Sequence, residues 1–597
     1  MKCSSLLFPI AFCAATLLQA QTLAPPPPST HNDITVEELG YHIGWLASDA
    51  LEGRGTGSKG GELAVQYIAR EFERYGLKPA GSDGYRQTFE AVTGVEMGRN
   101  NALSIDIRGR RFSMVLATDY TPYGFSESGN ATSPLLFAGY GLNAPKLAYN
   151  DYESIDARGK IVLVAAGHPE SDNPHSEFDA IASVRSKAMF AREAGAAALI
   201  IVTPDSDEPG KFAYDGSPQG GGIVVVNLSR KSAEPLFADE ALASILTRID
   251  AVKKPASFVI DDVTASLQVD VSFIRKSVSN VAGLIEGSDP VLRSELIVFG
   301  AHYDHLGWGQ NGSLYRGKEP MIHNGADDNA SGTAAMLELA QLFASEPPKR
   351  SMLFLAFGAE EMGLLGSSNW VNNPTRPLKD IAVMVNIDML GRLPDSTNKI
   401  NIQGVGTSPG FEALVKKTNE AYDFELGLIP DGQGSSDHAS FYRKDVPVLF
   451  FFTGLHTDYH RPSDDADKIN LPGEKKAARF IADVARTIDQ TPERPPFVRV
   501  VIKEDRRVRG FNVYVGTIPD YGSTEVGFKI TGTSPGSPAE KAGLKGGDLI
   551  VQFGETTLKN IYDYMNALGL HKPGEDVVVK VQRGAETVTT TVHLVKK

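Results

Sequence analysis

Cysteine is almost missing from this sequence: there are two, Cys3 and Cys13, and both lie within residues 1–20. A chain trimmed of that segment carries no thiol, which excludes a disulfide framework and thiolate catalysis. Positive charge is also short, with a net charge of -14. Nonspecific binding to nucleic acid or to an anionic membrane needs clustered Lys and Arg, so neither is an expected partner. Long apolar runs are lacking as well. The one from Leu6 to Leu18 is too short to span a bilayer comfortably, and no other stretch qualifies, so no membrane span is expected in the mature chain. Lys2 before that run and Gln19-Ala20-Gln21 after it read as a signal peptide over 1–20. Export to the periplasm or the exterior is the expectation.

What is present is ordinary globular material, 42% hydrophobic and 22% charged over 597 residues. That length exceeds one hydrophobic core, so several domains are expected. Pro25 to Pro28 read as an extended linker. Val36, Leu39, Ile43 and Leu46 recur at helical spacing, and a second helical stretch covers Leu63 to Tyr75. The glycine-rich LASDALEGRGTGSKGG between them lacks phosphate-loop spacing and reads as a turn. From 133 to 262 glycines and buried strands such as GKIVLVAAG and AALIIVTP mark an inserted β-rich unit. From 263 to 495 apolar strands alternate with helices: Leu296 to Ala301, Met352 to Phe357, Ala382 to Ile387 and Val448 to Thr453. Uninterrupted apolar strands between helices predict an α/β fold, a sheet sandwiched by helices. A proline-rich linker then leads to a small β-rich unit over 497–597.

Each of the four strands runs toward polar residues: His302 with Tyr303 and Asp304, Glu360 with Glu361, Asp388, and His456 with His460. Ligands bind at the carboxyl ends of such strands. A fifth element, HNGADDNASG, puts Asp328 and Asn329 just before a helix with Met336, Leu339 and Phe343 in register. Capping of that helix is the competing reading; beside the other four elements, metal ligation is preferred. Two imidazoles and three carboxylates suit two zinc ions sharing one carboxylate. Asp304 is placed to hold the second ring nitrogen of His302. Of adjacent Glu360 and Glu361, one can bind metal while the other faces substrate as general base. Six of the twelve histidines fall between His302 and His460, which favours a shared site; His305, His323, His438 and His456 are read as neighbours rather than ligands.

GAHYDHLG, NGADDNASG, GAEEMGLLGS, NIDMLG and TDYHRPSDD resemble the five metal-site motifs of the M28 zinc peptidases, in the family's order. The resemblance implies the zinc-dependent exopeptidase fold, a mixed sheet between helices, with residues 21–132 forming its N-terminal part. It implies that His302 and Asp388 bind one zinc ion, Glu361 and His460 the other, and that Asp328, rather than Asp327, bridges them. It also implies a cis peptide between Asp328 and Asn329, Glu360 as general base, and Tyr459 as a donor to the oxyanion. The 133–262 unit resembles a protease-associated domain. SPAEKAGLKGGDLIVQFG resembles the signature of bacterial PDZ domains, with NIYDYMNALG as groove helix and YVGTI (Tyr514 to Ile518) as the loop that captures peptide C-termini. The implied activity is that of an exported di-zinc aminopeptidase acting on peptides. Dipeptidase, carboxypeptidase or glutaminyl cyclase-like activity, and a non-catalytic binding role, are the alternatives.

Overall fold

The computed structural model describes residues 31–171, 176–237, 239–315, 317, 319–396, 398–500, 513–519, 525–533, 536–559 and 561–596. The expected signal peptide, both cysteines and the Pro25 to Pro28 run lie outside them. Among the described residues no helix is long and apolar enough to cross a membrane.

Four strands form the heart of the largest sheet: β1 (Leu296–His302), β2 (Ser351–Phe357), β3 (Ile381–Ile387) and β4 (Val448–Phe452). Their order is β2-β1-β3-β4, every neighbouring pair parallel, so all four carboxyl ends reach one edge. The strand Val271–Ile285 runs antiparallel beside β2, while Lys399–Gln403 is antiparallel to β4 and parallel to Glu425–Ile429. Side chains alternate between two cores, which is why these strands read as continuous apolar runs. Ile297, Phe299 and Ala301 face one core, and Leu296 and Val298 face the other. On the first face pack α1 (Val36–Leu46), α2 (Lys59–Arg74), α3 (Gly332–Ser345) and α4 (Leu471–Gln490). On the second lie Trp370 and Val371 of the helix Leu365–Asn372, with Phe441 and Tyr442.

Local chemistry sets the helix starts. Thr35 Oγ1 caps α1 by accepting the Glu38 amide at 3.1 Å, and its hydroxyl donates to the Glu38 carboxylate at 2.9 Å. Ser58 Oγ caps α2 through the Gly61 amide at 3.1 Å.

A long antiparallel ribbon, Arg86–Met97 with Val271–Ile285, leads from this sheet to a second one. The second sheet has eight strands and its own core. It runs from Ala102 to Val269, further in both directions than 133–262. Arg110–Met114 forms the edge and pairs with Ala102–Ile107, which pairs in turn with Phe258–Val269. A third core, Val513 to Leu594, joins the strands after Val513 to α5 (Ile561–Gly569).

Candidate metal centre

His302 is the last residue of β1; Glu360 and Glu361 follow β2, Asp388 follows β3, and His460 lies in the loop after β4. Asp328 enters from the turn before α3. The structure brings these groups together. Asp328 lies between the two imidazoles, with Oδ1 3.4 Å from His302 Nε2 and Oδ2 3.2 Å from His460 Nε2. Asp388 Oδ1 stands 3.3 Å from His302 Nε2, and Glu361 Oε2 stands 3.2 Å from His460 Nε2. Glu360 Oε2 is 4.0 Å from His302 Nε2. Two separate clusters of candidate metal ligands result, His302–Glu360–Asp388 and His305–Asp328–Glu361.

Asp327 points elsewhere. Its Oδ1 accepts the Gly391 amide at 2.6 Å and the Ser331 hydroxyl at 3.0 Å, and its Oδ2 is 3.2 Å from His456. Helix capping falls to Asn329, whose Oδ1 accepts the amides of Gly332 at 2.9 Å and Met389 at 3.1 Å. Asp328 is therefore released from that duty. The Asp328–Asn329 peptide is cis, as the resemblance implies.

The imidazoles show what the cluster is built to hold. His460 Nδ1 is 2.9 Å from the Gly312 carbonyl, and His302 Nδ1 is 3.2 Å from the Asp304 carbonyl. A carbonyl only accepts, so each Nδ1 carries a proton, and in the neutral ring each Nε2 turns a lone pair toward the carboxylates. Acceptor then faces acceptor on every side, an arrangement that a cation satisfies. The carboxylates draw positive charge to each Nε2, whether it comes as a proton or as a metal ion. Burial alone would lower His460, yet hydrogen bonds and charge from Asp328 and Glu361 raise it to about 10. Burial pushes the Glu360 carboxyl well up, with Asp388, Asp437 and Glu361 adding to it.

One expectation is corrected. The Asp304 carboxylate lies 3.9 Å from His302 Nδ1, and the Asp304 main-chain carbonyl makes the contact instead. Its carboxylate accepts the Glu360 amide at 3.0 Å and the Thr56 hydroxyl at 3.0 Å. It thus fixes the backbone that carries Glu360. The neighbouring histidines divide. His305 Nδ1 is 2.7 Å from Glu361 Oε1, whereas His323 bonds to Ser313 and the Met321 carbonyl. His438 stacks on Phe450 with ring centroids 4.5 Å apart, and burial lowers it to about 3, so it stays neutral. Tyr459 stacks on His460 at 3.9 Å; burial and the surrounding carboxylates raise its phenol, which stays a proton donor.

Two positioning residues were not apparent in the sequence. Asp464 Oδ2 accepts the amides of Asp327 at 3.0 Å and Asp328 at 3.1 Å. Arg54 is fully buried and donates to the carbonyls of Leu46, Tyr303, Asn324 and Gly325. The repeated Asp in SDD and the Arg inside a glycine-rich loop were the signals.

Buried imidazoles and carboxylates converging at the carboxyl edge of a parallel sheet define a metallohydrolase of the layered α/β class. Residues 280–485 match peptidase family M28, residues 131–236 a PA domain and residues 509–594 a PDZ domain. Aminopeptidase YwaD of Bacillus subtilis is 25% identical over 404 residues, 66% of this chain and 74% of its own length. An aminopeptidase of Pseudomonas aeruginosa is 27% identical over 354 residues, covering 56% of either chain. Among solved structures, the aminopeptidase from Aneurinibacillus sp. strain AM-1 aligns with 79% of this chain and 97% of its own, at 20% identity and a TM-score of 0.47. Residues 280–485 thus carry a peptidase family M28 domain, with a PA domain matched before it and a PDZ domain after it.

Proposed function

We propose that this peptidase is an exported di-zinc aminopeptidase. The observation that carries the reading is the split of the Asp328 carboxylate between His302 Nε2 and His460 Nε2, the geometry of a bridging ligand. His302 and Asp388 would hold one zinc ion with it, and Glu361 and His460 the other. Relatives named as aminopeptidases support the choice of exopeptidase type. Zinc when bound lowers the pKa of water and polarises a carbonyl. Glu360, held by Asp304, takes the proton of the attacking water and delivers it to the leaving amine. The Tyr459 hydroxyl donates to the oxygen on which charge develops. His305 steadies Glu361 through Nδ1. The domains we assign are a peptidase domain drawn from 21–132 and 263–495, the insert expected over 133–262 with its sheet extended to Ala102 and Val269, and the PDZ domain over 497–597, after a signal peptide over 1–20.

The test is a panel of free-amine, N-blocked and C-blocked peptides with the purified zinc-loaded protein. Free-amine and C-blocked peptides are expected to be cleaved and N-blocked ones spared. Cleavage of N-blocked peptides as readily as free ones rejects the aminopeptidase reading.

A further inference from the structure

A cavity of about 370 Å³ lies where all three domains meet, and it opens on the metal centre. The catalytic domain lines it with Glu361, Met362 and Gly312, the PA insert with Tyr214 and Pro218, and the PDZ domain with Phe528, Ile561 and Met565. Gly312 is the residue whose carbonyl holds His460 Nδ1. The cavity therefore adjoins the Glu361–His460 half of the site. Its size falls in the range of small-ligand pockets, and its PDZ wall is apolar apart from Lys529, whose ammonium pairs with Glu525.

That wall is fastened in place. Arg192 of the insert pairs with Asp563 of α5 at 2.6 Å and donates to the Thr557 carbonyl at 2.9 Å. Ser186 donates to Asn566 of α5 across a buried contact of 2.7 Å. The Gln219 side chain reaches the start of α5, accepting the Ile561 amide at 3.3 Å while donating to the Glu525 carbonyl at 2.9 Å. Phe528 stacks on Tyr564 with centroids 4.1 Å apart, so its ring cannot swing out of the wall freely. Met565 is 40% exposed, an apolar side chain left uncovered beside a catalytic cleft.

We propose that α5 and Phe528 of the PDZ domain form the apolar wall of a substrate subsite, which takes an apolar side chain of the peptide being cleaved. The PDZ domain then acts as a specificity element of the peptidase rather than as a separate capture module. This rests on the aminopeptidase reading. An apolar side chain entering such a pocket gains about 10–200-fold per hydrocarbon increment or two in kcat/KM.

The experiment uses the full zinc-loaded chain and two peptide series, X-Ala-Ala and Ala-X-Ala, with X as Leu, Phe or Gly. The readout is the Leu-to-Gly ratio of kcat/KM. The wild type is expected to favour Leu at one of the two positions, and that position assigns the subsite. Met565→Asp is expected to cut that ratio about tenfold. Met565→Leu keeps it, and Val578→Asp, a charge on another exposed part of the PDZ domain, leaves it unchanged. A wild-type ratio near one in both series overturns the proposal, as does a Met565→Asp ratio equal to wild type. Failure of the wild type to cleave either series defeats the aminopeptidase reading instead, so the two failures are told apart.

Discussion

Replacement of Arg54 tests how the metal-centre loops are held. Its guanidinium is fully buried and donates at 2.7 Å to Tyr303, at 2.6 Å to both Leu46 and Asn324, and at 2.9 Å to Gly325. Burial lowers it to about 10, against the opposing pull of Asp328, Asp304, Asp464 and Glu361. Arg54→Met removes every donor and leaves four carbonyls and nearby carboxylates without their cation. Loss of one partner from a buried charged network costs roughly 3–5 kcal/mol. For a domain of this size each kcal/mol moves Tm by about 2–4 °C, so a loss near 4 kcal/mol lowers the catalytic-domain transition by about 8–16 °C. Arg54→Lys keeps the charge and loses the planar fork, and is expected to recover about half of the shift. Scanning calorimetry of the zinc-loaded protein reads both variants. A Tm shift under about 2 °C for Arg54→Met, or a lysine variant as stable as the parent, refutes the hub role.

Two further outcomes follow from the site. Glu360→Gln is expected to retain zinc, measured by elemental analysis, while turnover falls by about 10²–10⁴-fold; unchanged turnover places the base elsewhere. Asp304→Ala removes the acceptor of the Glu360 amide, so kcat is expected to fall about 10–100-fold with KM and zinc content nearly unchanged. A rise in KM alone would show that Asp304 serves binding rather than the alignment of Glu360.

Much of the catalytic sheet was legible because its strands are apolar on both faces. Leu296, Val298 and Phe299 have a core to meet on either side, so no polar residue interrupts the run. The order of the strands was less accessible, since β2 and β1 are joined by a long excursion through Asp328 and α3. The reach of the second sheet was underestimated for a different reason. Ala102–Ile107 and Arg110–Met114 are short strands at one side of the sheet with exposed polar positions, and nothing local indicates that the partner of Ala102–Ile107 lies near residue 263. At the site, spacing alone could bring Asp304 near His302 but could not tell a carboxylate contact from a carbonyl one. Arg54 escaped because a charge among glycines resembles a solvated loop; its burial depends on carbonyls some 250 residues away in sequence.

The ribbon of Arg86–Met97 and Val271–Ile285 also dictates an order of events during synthesis. Helices α1 and α2 leave the ribosome early, yet the apolar stripes of Leu39, Ile43, Ile68 and Phe72 share their core with strand residues from Val281 onward. The intervening residues have a core of their own and can close first. The two leading helices must then wait, with their apolar faces exposed, until a chain several times their length has emerged. Domains of one chain fold as units and misassemble when such surfaces linger. The first two helices are thus where a nascent copy of this protein is most in need of a chaperone.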